Sequence, residues 1–439
     1  MSPQPNPEKA DTRGLLILLA AIYMAGAGIS FEVPLVVKIT GFYKITDSEF
    51  GLLLGLTTLI GAVSGMPWGY WADKYRRIRL IIISQAIISA CIIISGLCLA
   101  LQLPYPVFFA VQLFSGVGLA GIGPVATSAV IDTVPLEKRG AAFGWVGVAW
   151  VVGGAGGMLV PALCMLLKLG LGATFLIMGS STLIFLAALF FVEEPKRGSQ
   201  DQALKEYMAG EGVDYTHHIQ FSDLKVLLKK PVNILLVFAM LFFQFPQQVI
   251  SVWFVTFLMR NHNLSEFIAT QFMFLAFLGM PFGNALGGAW TDAAFKKKRT
   301  GRVMVMITMA VIAPVFLVAA MKIPYQWVLF AGLMVIANFF MVASGPGMST
   351  ISVEVNLPEH RGTISAILAL FSSLARALAW YIPPVIAAVF SGRYDRVFVF
   401  TAISFAPLVL IYFLISRRIG KDLDFVNNTL KDRTKEFNH

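Results

Sequence analysis

The sequence predicts an all-α membrane protein: twelve transmembrane helices in two pseudo-symmetric six-helix bundles, with both termini cytoplasmic. Three observations carry this expectation. Composition is the first: of 439 residues, 57% are hydrophobic and only 13% charged, where an ordinary soluble domain carries about 25%. The second is a set of twelve apolar runs, each near the roughly 20 residues a helix needs to cross a bilayer. The third is an internal repeat at half the chain length. A soluble fold of this size could not bury so much apolar surface. Aqueous enzymes, nucleic-acid binders and disordered scaffolds are therefore excluded.

The runs lie at 15–37, 50–72, 78–101, 106–131, 141–167, 170–192, 232–259, 266–291, 303–322, 325–353, 362–390 and 397–416. Residues 193–231 are polar and charged and separate six runs from six. They read as a cytoplasmic linker with a short surface helix around Ser222 to Lys230. The expected domains are thus a bundle over 1–192, the linker 193–231, a second bundle over 232–416 and a cytoplasmic tail over 417–439. With the N-terminus inside, 26 Lys and Arg fall in cytoplasmic segments and 7 outside, the asymmetry that orients membrane helices. This explains the net charge of +10 without nucleic acid. Arg376 is left over, in the middle of the eleventh run. The polar N-terminus shows no signal peptide, and no cleavage site follows the first run.

Cys91, Cys98 and Cys164 all sit in apolar runs, so neither a disulfide framework nor a zinc pattern is expected. No phosphate-binding G-x-x-x-x-G-K-[ST] loop occurs, which argues against ATP-driven pumping. No metal spacing and no catalytic triad can be assembled, so no cofactor and no enzyme activity are expected. The expected setting is a monomer in the plasma (inner) membrane.

The repeat is specific. Gly69-Tyr-Trp-Ala-Asp73 follows the second run and Gly288-Ala-Trp-Thr-Asp292 the eighth, an offset of 219. A basic cluster follows each, with Arg77 in the first. Gly123-Pro124, Asp132 and Arg139-Gly140 recur as Gly345-Pro346, Glu354 and Arg361-Gly362, all offset by 222. Such duplication characterises transporters built from repeated halves with a midplane site.

On these motifs the chain resembles the major facilitator superfamily over essentially its whole length. GYWADKYRRIRL looks like that superfamily's best-known loop motif, and GAWTDAAFKKKR like its second copy. A narrower resemblance, carried by ITDSEFGLL, GVGLAGIGPVATSAVIDTVPLEKRG and EEPKRG, is to the spinster-like branch, which implies lysolipid or sphingolipid-type export. The chain differs from that branch at Leu119 and at Ala25-Gly26. The superfamily resemblance implies that Asp73 meets the cytoplasmic N-terminus of helix 11, and Asp292 that of helix 5. A carboxylate there stabilises the positive end of a helix by up to about 2 kcal/mol. Gly69 and Gly288 would permit the close approach. The ordinary alternative is a pair of solvated loop acids.

Other candidates follow from charge in apolar surroundings. Asp132 with Arg139, and Glu354 with Arg361, could form breakable pairs at cytoplasmic helix ends; the alternative is permanent surface pairs worth about 0–1 kcal/mol. Glu32 is the only carboxylate well inside a run, a functional hypothesis by default. It suits a proton carrier unless it simply reaches water. The guanidinium of Arg376 suits a carboxylate or phosphate cargo, or an acid on another helix. Gln244, Gln247 and Gln248 flank Pro246 in helix 7, where amides are costly; an interrupted helix there would point to a binding site, and the alternative is a plain proline kink with hydrogen bonds between helices. Gln112, Gln271, Asn284 and Asn338 are weaker candidates. Helix 5 is rich in glycine, for which helix 8 is the expected packing partner.

The expected function is a secondary active transporter working by alternating access, proton-coupled, with an amphipathic organic or lysolipid-like substrate. Two alternatives stand beside it. One is an importer of small organic anions anchored by Arg376. The other is a non-transporting receptor or scaffold, against which the duplicated latch motifs argue.

Overall fold

The computed structural model describes residues 12–133, 139–190, 227, 230–323, 326–357 and 361–436. The linker at 193–231 therefore lies almost wholly outside the described residues, as does the surface helix expected around Ser222. Every regular element among the described residues is a helix. The chain divides into two compact units, Met1–Tyr215 and Thr216–His439.

The first unit contains α1 (Thr12–Ser30), α2 (Val36–Tyr43), α3 (Asp47–Lys74), α4 (Arg77–Ala100), α5 (Tyr105–Thr133), α6 (Arg139–Leu166) and α7 (Leu171–Leu189). The second contains α8 (Pro231–His262), α9 (Glu266–Phe277), α10 (Gly279–Lys297), α11 (Gly301–Lys322), α12 (Trp327–Ala343), α13 (Gly345–Glu354), α14 (Arg361–Val389), α15 (Tyr394–Ile403) and α16 (Phe405–Glu436). Among the described residues, ten helical stretches are long and apolar enough to cross a membrane. Leu15–Ser30 and Leu171–Ala187 are apolar but shorter.

Four runs that read as continuous helices are broken: 15–37, 266–291, 325–353 and 397–416. Proline explains where. Its ring clashes with the carbonyl four residues earlier and it offers no N–H. α1 stops at Ser30, four residues before Pro34; α9 at Phe277, four before Pro281; α15 at Ile403, four before Pro407. α12 stops at Ala343, and Pro346 falls in the first turn of α13. Yet Pro67, Pro161, Pro246 and Pro314 lie inside unbroken helices. α8 runs unbroken through Pro246, so this proline does not interrupt helix 7. The run at 397–416 also ends too early: α16 continues as helix to Glu436.

Apolar helices gain little hydrophobic energy by leaving lipid for one another, so close backbone approach has to hold them. α10 packs on α12 through Gly279, Gly283 and Gly287. A Cβ at these positions would overlap the carbonyl oxygens of Val335, Phe339 and Ala343 in turn. α6 packs on α1 the same way: a Cβ at Gly153 would overlap the Tyr23 carbonyl, and one at Gly157 the Ala27 carbonyl. The helix 5 glycines thus pack on helix 1, where the sequence points to helix 8. Hydrogen bonds add direction. Trp68 Nε1 donates to Val117 O at 2.8 Å, Ser84 Oγ to Gly118 O at 2.6 Å and Trp253 Nε1 to Ala379 O at 2.9 Å. α3 begins with a capping box in which Thr46 Oγ1 accepts from Glu49 N at 3.2 Å and the Glu49 carboxylate accepts from Thr46 N at 2.7 Å. That is a structural use for the ITDSEF segment.

Candidate functional site

Unit one brings two sequence candidates together. Glu32 sits in the turn between α1 and α2 and is 6% exposed. The turn exists because Pro34 ends α1, and it closes with Leu35 N donating to Glu32 O at 2.9 Å. The amide of Gln112, on α5, donates to Glu32 Oε1. The Gln112 backbone is itself held: its main-chain carbonyl oxygen accepts from Thr57 Oγ1 at 3.2 Å and Ser115 Oγ at 2.6 Å. Glu32 Oε2 is buried with no partner among the described residues. One oxygen is therefore clamped and the other is available to carry a proton.

Unit two holds a cluster of charge at the end where α8 and α11 begin. Arg302, the second residue of α11, is buried and pairs with Glu354 of α13 and, at 3.0 Å, with Asp292 of α10. Its guanidinium also lies 4.2 Å from the Phe295 ring centroid. A cation in the first turn of a helix opposes the helix dipole, so it needs acids nearby. No such sign was legible in the sequence, because the run 303–322 leaves Arg302 outside the helix that in fact begins at Gly301. Next to it, Asn233 of α8 and Asn356 exchange amide hydrogen bonds of 2.9 and 2.8 Å, and Lys230 Nζ donates to Val355 O at 3.0 Å. Two buried asparagines 123 positions apart leave no local sequence signal.

The remaining candidates are dispersed. Gln244, Gln247 and Gln248 share one face of α8, half-buried, with no hydrogen bond among the described residues. Asn338 is fully buried; its amide nitrogen donates to Met334 O at 2.9 Å, and its oxygen is unpartnered among the described residues. Arg376 donates to Ser373 Oγ at 2.8 Å and has no ion pair among the described residues. Gln271 and Asn284 are exposed. A Cβ at Gly69 would meet nothing within 4 Å, and one at Gly288 only Pro346 at 3.5 Å. Gly287, one residue earlier, is the tight position. Arg77 opens α4 and is half-buried. The side chains of Asp73, Asp132, Arg139 and Arg361 lie outside the described ones.

The model of the Major Facilitator Superfamily matches residues 15–380. The chain belongs to this superfamily. Together with its ten apolar spanning stretches, membership makes it an integral multi-pass membrane protein. Among curated relatives, it is 28% identical over 149 residues to "Multidrug resistance protein 2" of Bacillus subtilis, covering 33% of this chain and 36% of the relative. It is 30% identical over 175 residues to the "Gentisate transporter" of Corynebacterium glutamicum, covering 38% and 36%. The chain thus spans little more than a third of these relatives. Among solved structures, it resembles an inward-facing, unoccupied bacterial homologue of the human lysosomal transporter Spinster, with a TM-score of 0.78, 20% identity, and 94% and 99% coverage. That likeness speaks for the fold.

Proposed function

We propose that this superfamily member is a secondary active transporter working by alternating access, coupled to protons through Glu32, with an amphipathic organic or lysolipid-like cargo. The observation that carries the reading is the Glu32–Gln112 pair with its unpartnered second oxygen. An unpaired carboxylate charge is costly away from water, so the buried arrangement suits the neutral acid. Losing the proton favours a conformation in which Glu32 reaches water. Proton occupancy and conformation are thereby linked, which is what coupling requires. Relatives named for multidrug resistance and a Spinster homologue's fold support an amphipathic cargo.

In this reading the twelve runs are twelve spans in two bundles, 1–192 and 232–416, joined by 193–231. The basic segments, including the 417–439 tail, face the cytoplasm. The protein works as a monomer in the plasma (inner) membrane, without a cofactor. Asp292 and Glu354, joined through Arg302, serve as a breakable contact at the cytoplasmic end of the second bundle, with Asp73, Arg77, Asp132 and Arg139 as its counterpart in the first. The test is transport in proteoliposomes. Glu32→Gln should abolish accumulation driven by a pH gradient while leaving substrate exchange intact. Gradient-driven accumulation at the wild-type rate in that variant would remove Glu32 from the mechanism.

Arg376 favours a second reading of the cargo, as a small organic anion. A mid-span guanidinium costs at least about 2.5–3.5 kcal/mol if it faces lipid, and among the described residues this one has only a serine hydroxyl for a partner. A relative named as a gentisate transporter supports the same class. Arg376→Lys should weaken anion affinity by calorimetry with the fold retained. Wild-type affinity in a folded Arg376→Ala protein would exclude an anion anchor there.

A further inference from the structure

The exposed side of α16 changes character at one point along the helix. Leu410, Phe413 and Leu414 are exposed and apolar. At helical spacing of three and four residues, the same face continues as Arg417, Arg418 and Lys421, all exposed, and then as the half-exposed Phe425. The opposite face, Ile415, Ile419, Leu423 and Val426, is buried. That burial holds the extension against the rest of unit two, so the basic face has a fixed direction. The Arg417 guanidinium lies 4.6 Å from the centroid of the Phe413 ring below it. Lys230 lies 5.0 Å from the Phe425 ring.

A second basic segment joins this face. Arg299, between α10 and α11, pairs with Asp424 of α16, which sets the exposed Lys296, Lys297 and Lys298 beside it. The height is also defined. At 1.5 Å per residue, Arg417 to Lys421 lie roughly 4.5 to 10.5 Å beyond Leu414, where the continuous apolar stripe gives way to charge before Phe425. The headgroup layer of one leaflet is about 5–8 Å thick. With the exposed stripe Leu410, Phe413 and Leu414 set in the hydrocarbon, the positive charge on the same exposed face falls at headgroup height.

We propose that the basic face of α16, with the Lys296–Arg299 segment, is a docking surface for the phosphate headgroup of an anionic membrane lipid. The arginines and lysines take the phosphate, and the acyl chain lies along Leu410, Phe413 and Leu414. Lipid phosphate is favoured over a soluble anion because the basic residues continue an exposed apolar stripe on a membrane-spanning helix. Anionic surfaces attract such segments generally; the tethered, one-sided geometry makes this one a site.

The test uses the full-length protein in vesicles of dioleoyl-phosphatidylcholine, alone or with one quarter dioleoyl-phosphatidylglycerol. The wild-type thermal midpoint should rise with phosphatidylglycerol. Arg417→Gln/Arg418→Gln/Lys421→Gln should match wild type in phosphatidylcholine and lose that rise. Lys322→Gln/Arg396→Gln, at the other end of unit two, should keep it. If the triple variant is unstable in phosphatidylcholine, the single Lys421→Gln should still reduce the rise. Equal midpoints of the wild type in the two vesicles, or a full rise in the triple variant, would overturn the proposal. A rise produced by inorganic phosphate in phosphatidylcholine alone would replace the lipid by a free anion.

Discussion

Arg302→Met is the sharpest test of the charge cluster, because it removes two ion pairs and one aromatic contact together. The guanidinium is 4% exposed, Glu354 29% and Asp292 62%. The Asp292 pair lies mostly in water and contributes about 0–1 kcal/mol. The Glu354 hydrogen bond is largely shielded and charge-assisted, about 1.5–3 kcal/mol. The contact with Phe295 adds about 0.5–1 kcal/mol. Methionine recovers part of the stem packing, so the expected loss is about 2–4 kcal/mol. Glu354→Gln should cost most of that, and Asp292→Asn less than about 1 kcal/mol. The Arg302→Met/Glu354→Gln double variant should cost less than the sum of its parts, since both lose the same bond. Denaturant unfolding of the purified protein measures all four. A loss under about 0.5 kcal/mol for Arg302→Met, or a larger loss for Asp292→Asn than for Glu354→Gln, would refute the reasoning.

Three further outcomes are expected. Gly283→Ala should destabilise by about 1–3 kcal/mol, because the new Cβ overlaps the Phe339 backbone oxygen; Gly332→Ala, where a Cβ meets nothing within 4 Å, should be neutral or stabilising, and thermal unfolding compares the two. Gln85 is fully buried on α4 with neither side-chain polar atom partnered among the described residues, so Gln85→Leu should raise the midpoint; a clear drop would show that the amide is needed. Asn233→Ala and Asn356→Ala should each cost about 1–3 kcal/mol by stranding the other amide, while the double variant costs less than their sum; strict additivity would mean that the two amides act independently.

Much of this molecule was readable from the chain alone. Charge scarcity and twelve apolar runs established a multi-pass membrane protein, because lipid imposes one length and one polarity on every span. The repeated Asp73/Asp292 and Asp132/Glu354 motifs established the superfamily, because duplication copies residues at a fixed offset. Glu32 and Arg376 stood out because ionised groups are rare in apolar runs.

What the chain could not show depends on contacts between distant residues. Four prolines stop helices while others ride inside them, since neighbouring helices decide whether the freed carbonyl and the ring can be accommodated. Arg302 reaches Glu354, and Asn233 meets Asn356, across 52 and 123 positions. The tight glycine is Gly287 and not the motif's Gly288, a matter of which side of α10 faces α12. Gln112 became the partner of Glu32 only when Pro34 turned the chain and α5 came alongside. Sequence determined which residues are costly to bury. Tertiary structure decided which partner relieves each cost, because hydrogen bonds and ion pairs act over about 3 Å and that proximity is set by packing.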